Sequence, residues 1–162
     1  MPKLAANVSM MFAEVDFLQR FAAAARAGFR AVEYQYPYDW KPADLSAAVR
    51  DAGVEVVLHN MPQGDAALGE RGTASLQYDV FHMQLMEGNL ALTIERLLPR
   101  IGHLQIADVP GRNEPGTGEI NFEFLFGHLD RLGYGGWIGC EYNPLGDTRE
   151  GLKWAQIGRA HV

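Results

Sequence analysis

The chain has 162 residues, of which 48% are hydrophobic and 21% charged, and its formal net charge is −6. This length corresponds to one domain with a sizeable core, and the composition is too apolar for a disordered chain. The acidic balance leaves no basic face for a phosphate backbone or an anionic membrane, so we expect the protein to bind neither nucleic acid nor membranes.

The sequence also indicates a compartment. The single cysteine, Cys140, cannot form an internal disulfide, and the first residues lack the charged, apolar and small-residue regions of a secretory signal. No apolar run approaches the length of a membrane-spanning helix. We therefore expect a soluble cytoplasmic protein.

Strand and helix patterns alternate along the chain. Runs of apolar and β-branched residues predict six strands, at 4–7, 31–36, 54–60, 76–80, 103–108 and 137–142. Apolar residues at helical spacing predict helices after Asp16, Pro42, Asn89, Asn121 and Asp147. Residues 61–75 interrupt the alternation, since they contain three glycines and a proline and no apolar stripe.

This alternation predicts an α/β protein with parallel strands and helical crossovers. Two architectures fit it, a relative of the eight-stranded (β/α) barrel and an open doubly wound sheet. The first strand is followed by SMMFAE and not by a GxGxxG phosphate motif, which removes the main support for a dinucleotide-binding sheet.

Polar residues follow several predicted strands, where α/β barrels carry their chemistry. They are His59, Asp79, His82, Gln105, Arg112 and Glu141. Three of them, Asp79, Gln105 and Glu141, follow successive strands and offer oxygen ligands that suit Mg²⁺ or Mn²⁺. The alternative is structural: a carboxylate at a strand end is often a helix N-cap or an ion-pair partner, and a histidine there is often a satisfied core residue. Cys140 precedes Glu141 on a strand and is expected to pack on the opposite side.

Several longer stretches of the chain are distinctive. They are ANVSMMF at 6–12, VEYQYPYD at 32–39, LHNMPQGD at 58–65, GERG at 69–72, QYDVFHMQ at 77–84, GHLQIADVPGRNEPGTGEIN at 102–121 and GWIGCEYNP at 136–144. In these stretches the chain resembles the hydroxypyruvate isomerase family of the xylose isomerase-like barrel superfamily. The resemblance extends to about Gln156 and predicts a single barrel domain over residues 1–156.

The resemblance implies specific roles for these residues. Asp79, Gln105 and Glu141 would hold a divalent metal, with Glu141 also one of two acid/base glutamates, and His82 and Arg112 would contact the substrate, with His59 a weaker candidate. The implied reaction is an aldose–ketose isomerisation through an enediolate, of hydroxypyruvate to tartronate semialdehyde or of a related 2-oxo sugar acid, in glyoxylate and carbohydrate metabolism. The substrate would be a small anionic hydroxy or oxo acid.

The chain departs from the family at one place. GERGTAS runs directly into LQYDV, where the family has its fourth and fifth strands, and a complete barrel needs about 250 residues. The acid/base glutamate on the family's fifth strand is therefore absent. We expect an incomplete (β/α) barrel of about six parallel strands, a weakened metal site, and self-association through exposed strand edges.

Three other functions stay open at this point. One is a catalytically inactive barrel fragment with residual metal binding, which the missing glutamate favours, and another is a 2-oxo-tetronate isomerase. A ketose epimerase of the same superfamily is less consistent with HLQIAD and PGTGEIN. The last residues, IGRAHV at 157–162, break the family pattern, and we expect them to be a non-native tail.

Overall fold

The computed structural model describes residues 2–60 and 75–159, with side chains as far as Ala155. The strands are β1 Lys3–Asn7, β2 Ala31–Tyr34, β3 Glu55–His59, β4 Leu76–Asp79, β5 Ile101–Ile106 and β6 Trp137–Cys140. The helices are α1 Phe17–Arg26, α2 Pro42–Ala52, α3 Val80–Met86, α4 Leu90–Leu97, α5 Phe122–Arg131 and α6 Thr148–Gly151. Leu98–Arg100 and Leu152–Arg159 form 3-10 helices, the second of which runs into the predicted tail.

The described strands form one six-stranded sheet in the order β3-β2-β1-β6-β5-β4, and every neighbouring pair is parallel. The first strand pairs with the last, with Ala5 opposite Gly139, as in a barrel that closes. The strands β3 and β4 lie at the two ends of the sheet. The prediction of an incomplete parallel barrel is confirmed: the sheet is a curled half-barrel whose open seam lies where the family's strands are missing. The predicted join at 61–75 lies, up to residue 74, outside the described residues.

Helix α3 is not predicted by the sequence pattern. The pattern predicts a strand over 76–80, whereas the strand ends at Asp79 and a helix begins at Val80. The side chain of Asp79 caps this helix by accepting hydrogen bonds from the backbone N–H groups of Phe81 and His82. The run VFHMQLM has apolar residues on every side of a helix, so its periodicity carries no helical signal.

The core lies between the sheet and the helices that cover its outer face. Its fully buried members include Phe21, Val32, Ile94, Leu104 and Ile138. Cys140 is also fully buried in this core, and burial raises the pKa of its thiol well above the usual value. Among residues 2–60 and 75–159, no helix is long and apolar enough to cross a membrane.

Candidate functional site

Three of the predicted site residues meet at the carboxyl ends of the strands. The Arg112 guanidinium places Nη2 2.5 Å from Oε2 of Glu141 and 4.0 Å from Oδ2 of Asp79. The guanidinium also lies over the ring of Phe81, 5.3 Å from its centroid. A cation from the loop after β5 therefore lies close to the carboxylates of the last residue of β4 and of the residue after β6.

The loop that carries Arg112 is organised by a buried carboxylate, Asp108. Its two oxygens accept four backbone hydrogen bonds at 2.9–3.1 Å, from Val109, Gly116, Gly118 and Ile120. The glycine turn PGTG thus binds an anion that belongs to the protein itself. At Gly118 a Cβ would collide with the carbonyl of Val109, so this close wrapping requires glycine.

The backbone of Arg112 is fixed on both sides. Its N–H donates to the carbonyl of Asp108 and its carbonyl accepts from the N–H of Asn143, both at 2.9 Å. Its φ of 55° lies in the left-handed region, which few non-glycine residues adopt. The backbone position from which the guanidinium extends is therefore set by the fold of the loop.

Glu141 is a buried carboxylate held by two donors. Gln35 donates from Nε2 to Oε1 at 2.8 Å, and Arg112 donates to Oε2. Burial raises the pKa of Glu141 above its usual value, and this effect exceeds the lowering by Gln35 and Arg112; Asp79 and Glu33 raise it further. A raised pKa suits a carboxylate that must take and return a proton near neutral pH. Gln35 was not among the predicted site residues, although it lies within the family-like stretch VEYQYPYD.

The Asp79 carboxylate is both a helix cap and a neighbour of Arg112. Its Oδ1 caps α3, and its Oδ2 faces Arg112 and lies 3.5 Å from Nε2 of His82. The side chain of His82 is 58% exposed, so it can contact a ligand from the solvent side. Only one oxygen of Asp79 is directed toward the other site residues.

Gln105 turns away from the two carboxylates. It lies opposite Asp79 and Gly139 in the sheet register, but its Nε2 donates to Glu33 at 2.7 Å and its Oε1 accepts from Nε2 of Gln77. Its hydrogen bonds lie within the interior of the half-barrel.

Glu33 is the centre of that interior and was missed by the sequence analysis. It is 1% exposed and accepts hydrogen bonds from Asn7 at 2.9 Å and from Gln105, while its Oε2 lies 2.6 Å from Nε2 of His103. Its carboxylate occupies the space above Gly139, where a Cβ would collide with it. The one available signal was an acidic residue inside the otherwise apolar strand AVEY.

His59 is not brought into contact with Arg112, Asp79 or Glu141. It is exposed at the end of the edge strand β3, with Nδ1 3.4 Å from the carbonyl of Asn60 and its ring stacked on Tyr34. Its weaker candidacy rests on its place at the end of a strand and on the family resemblance.

In this arrangement the three predicted metal ligands are engaged by other side chains. Asp79 and Glu141 share Arg112 as their cation, and the Gln105 oxygen already accepts from Gln77. Among the residues the structure describes, no three His, Cys, Asp or Glu side chains are grouped so that they could hold a metal ion.

Known proteins share this fold and about a third of the aligned residues. The family model described as a xylose isomerase-like TIM barrel matches residues 68–157. The 2-oxo-tetronate isomerase of Pectobacterium atrosepticum is 33% identical, with 96% of this chain and 97% of the relative covered. The chain belongs to the xylose isomerase-like TIM barrel family. The hydroxypyruvate isomerase of Escherichia coli is 31% identical, with 95% and 98% covered.

The same comparisons show that an internal segment is missing. The alignments with these two relatives extend over 255 and 253 positions, so they contain a large gap in a chain of 162 residues. A crystal structure titled AP endonuclease, family 2, from Brucella melitensis superposes with a TM-score of 0.86 at 30% identity, covering 95% of this chain and 98% of that one. The structure of L-ribulose 3-epimerase, at 17% identity and a TM-score of 0.64, shares the fold. The chain is thus a member of an isomerase enzyme family. Unlike these relatives, it lacks an internal part of the barrel.

Proposed function

We propose that the Arg112–Glu141 site binds a small anionic 2-oxo or 2-hydroxy acid and performs the proton transfer of an aldose–ketose isomerase. Hydroxypyruvate and tartronate semialdehyde are the proposed pair. The observation that carries this proposal is a buried carboxylate of raised pKa beside a guanidinium whose Nε is buried and has no hydrogen-bond partner among the side chains and backbone that the structure describes.

Arg112 supplies the binding step. A guanidinium has five donors in a planar fork that matches a carboxylate, and a buried N–H without an acceptor is costly. A substrate carboxylate at Nε would satisfy that donor. By drawing the guanidinium toward itself, it would also release Oε2 of Glu141 for chemistry. The exposed His82 lies beside Asp79 at the same opening and would add a hydrogen bond to a substrate hydroxyl.

Glu141 supplies the proton-transfer step. Its carboxylate removes a proton from C3 of hydroxypyruvate and gives an enediolate, a proton is then returned to C2, and the hydroxyl proton passes from O3 to O2. Gln35 holds Oε1 during this step, so the free Oε2 is the proton acceptor. Atoms balance, because the product is an isomer of the substrate.

Net isomerisation is expected to be slow. The family's second glutamate is absent, and a positioned acid or base contributes about 10²–10⁴ in rate. Glu141 would have to serve both carbons, so it would return most protons to the carbon from which they came. Exchange of the C3 hydrogens with solvent should therefore exceed turnover.

The test is ¹H NMR of hydroxypyruvate in D₂O with the parent chain, Glu141→Gln and the control Glu150→Gln. Glu150 is an exposed glutamate that pairs with Lys153. Exchange above the buffer rate is expected with the parent and with Glu150→Gln, and none above it with Glu141→Gln. Equal exchange by the parent and Glu141→Gln, or none above buffer with the parent, would contradict the proposed chemistry.

The second candidate is a binding fragment without catalysis. It is favoured by the observation that both oxygens of Glu141 are already engaged, by Gln35 and Arg112. A rise in melting temperature with hydroxypyruvate, together with no proton exchange, would identify this function. Loss of that rise in Arg112→Gln would place the ligand at the same site.

A cavity next to the site bears on whether the substrate has three or four carbons. A cavity of about 530 Å³ lies beside Gln35, with Ser9, Arg20, Tyr36 and Trp40 among its lining residues. It offers room for the additional carbon of a four-carbon 2-oxo-tetronate. The exchange assay with both acids would separate the two specificities that the relatives' names suggest.

A further inference from the structure

The carboxylates of Asp79 and Glu141 share a single neighbouring arginine. Oε2 of Glu141 accepts from Nη2 of Arg112 at 2.5 Å, and Oδ2 of Asp79 lies 4.0 Å from the same nitrogen. These two side chains are also two of the three that the family resemblance assigns to a divalent metal. The Arg112 guanidinium therefore lies beside the same two carboxylates that the family resemblance assigns to a divalent metal ion.

Arg112 is held beside these carboxylates by several contacts. Its backbone is hydrogen-bonded to Asp108 and Asn143, and its guanidinium covers the ring of Phe81. The side chain is 28% exposed, while those of Asp79 and Glu141 are 14% and 7% exposed. An ion pair this well covered is less screened by water than one on the surface, so the attraction between its charges is stronger.

We propose that the Arg112 guanidinium takes the place of a divalent cation between Asp79 and Glu141, so that Arg112 and a metal ion compete for the same carboxylate oxygens. Mg²⁺ binds oxygen at about 2.0–2.1 Å, which would put its two positive charges beside the guanidinium. The lone pairs of Oε2 that accept from Nη2 would be the ones that coordinate. Metal binding therefore requires Arg112 to move away.

The hydrogen bonds of Gln105 are a second obstacle to metal binding. Its Nε2 donates to Glu33, which can only accept, and its Oε1 accepts from Gln77. The third predicted ligand oxygen is thus already hydrogen-bonded. A metal ion would have to break this bond as well as the Arg112–Glu141 pair.

The experiment is a Mn²⁺ titration followed by the EPR signal of free Mn²⁺, on the parent chain, Arg112→Gln, Arg112→Gln/Glu141→Gln and Arg50→Gln. Arg50→Gln is the control, because it removes one positive charge at a surface pair with Asp51. We expect Arg112→Gln to bind Mn²⁺ at least tenfold more tightly than the parent, Arg50→Gln to bind like the parent, and the double variant to lose the gain.

Two results would overturn the proposal. One is an Arg112→Gln variant that folds, as judged by circular dichroism, and binds Mn²⁺ no more tightly than the parent. The other is a gain that survives in the double variant, which would place the metal elsewhere. If Arg112→Gln does not fold, Arg112→Lys carries the test: its single ammonium cannot match the guanidinium fork, so Mn²⁺ affinity should rise by a smaller factor, and no rise would refute the competition.

Discussion

The contact between Gly139 and Glu33 gives the most direct test of the interior of the half-barrel. A Cβ at Gly139 would lie inside van der Waals distance of all three atoms of the Glu33 carboxylate group. The replacement Gly139→Ala must therefore displace a side chain that is 1% exposed and is held by Asn7, Gln105 and His103.

The expected cost follows from these contacts. Overpacking a buried site costs about 1–3 kcal/mol. Each hydrogen bond to a charged group contributes about 1.5–3 kcal/mol, and displacement of Glu33 weakens at least one of its three. We expect Gly139→Ala to lower the free energy of unfolding by about 3–5 kcal/mol, a large share of the 5–15 kcal/mol of an ordinary domain.

The assay is urea denaturation followed by circular dichroism, with Gly135→Ala as the matched control. Gly135 is exposed and a Cβ there meets nothing within 4 Å, so its replacement should change the stability by less than about 0.5 kcal/mol. Gly139→Ala should also cost much less in a Glu33→Ala background, because the colliding carboxylate is gone. A cost close to that of Gly135→Ala, or an equal cost in both backgrounds, would refute the proposed contact.

Three other predictions concern the site and the sheet edges. Burial raises the pKa of Glu141 above 4.5, so the unfolded chain releases this proton at a lower pH than the folded chain does. The parent should therefore lose stability relative to Glu141→Gln as the pH rises above about 4.5, and urea midpoints that keep a constant difference would contradict this. Asp108→Asn puts an amide where four backbone N–H groups donate, so it should lower the free energy of unfolding by about 2–4 kcal/mol. Amide exchange at Gly116 and Gly118 should become faster. An unchanged thermal melting curve would exclude a role of Asp108 in holding this loop. With β3 and β4 as edges and Leu76 39% exposed on β4, light scattering should show concentration-dependent oligomers, whereas a monomer at every concentration would rule out association through these edges.

Much of the fold follows from local sequence patterns. Runs such as AVEY and HLQI have strand periodicity, and the helices between them begin after turn or capping residues and end near glycines such as Gly53 and Gly133. This alternation allows few arrangements other than a parallel sheet with helical crossovers. The family-like stretches also revealed the missing segment, because their order along the chain is that of the family and only the spacing differs.

The site was decided by the tertiary structure. The sequence placed Asp79, Gln105, Arg112 and Glu141 at strand ends, but it could not show that Arg112 lies between the two carboxylates while Gln105 turns toward Glu33. The Gln35–Glu141 bond joins residues 106 positions apart, and the Glu33–Gln105 bond joins residues 72 apart. Periodicity reports which face of an element a residue occupies, whereas these contacts depend on how distant strands are brought together and on which donors remain for each buried carboxylate.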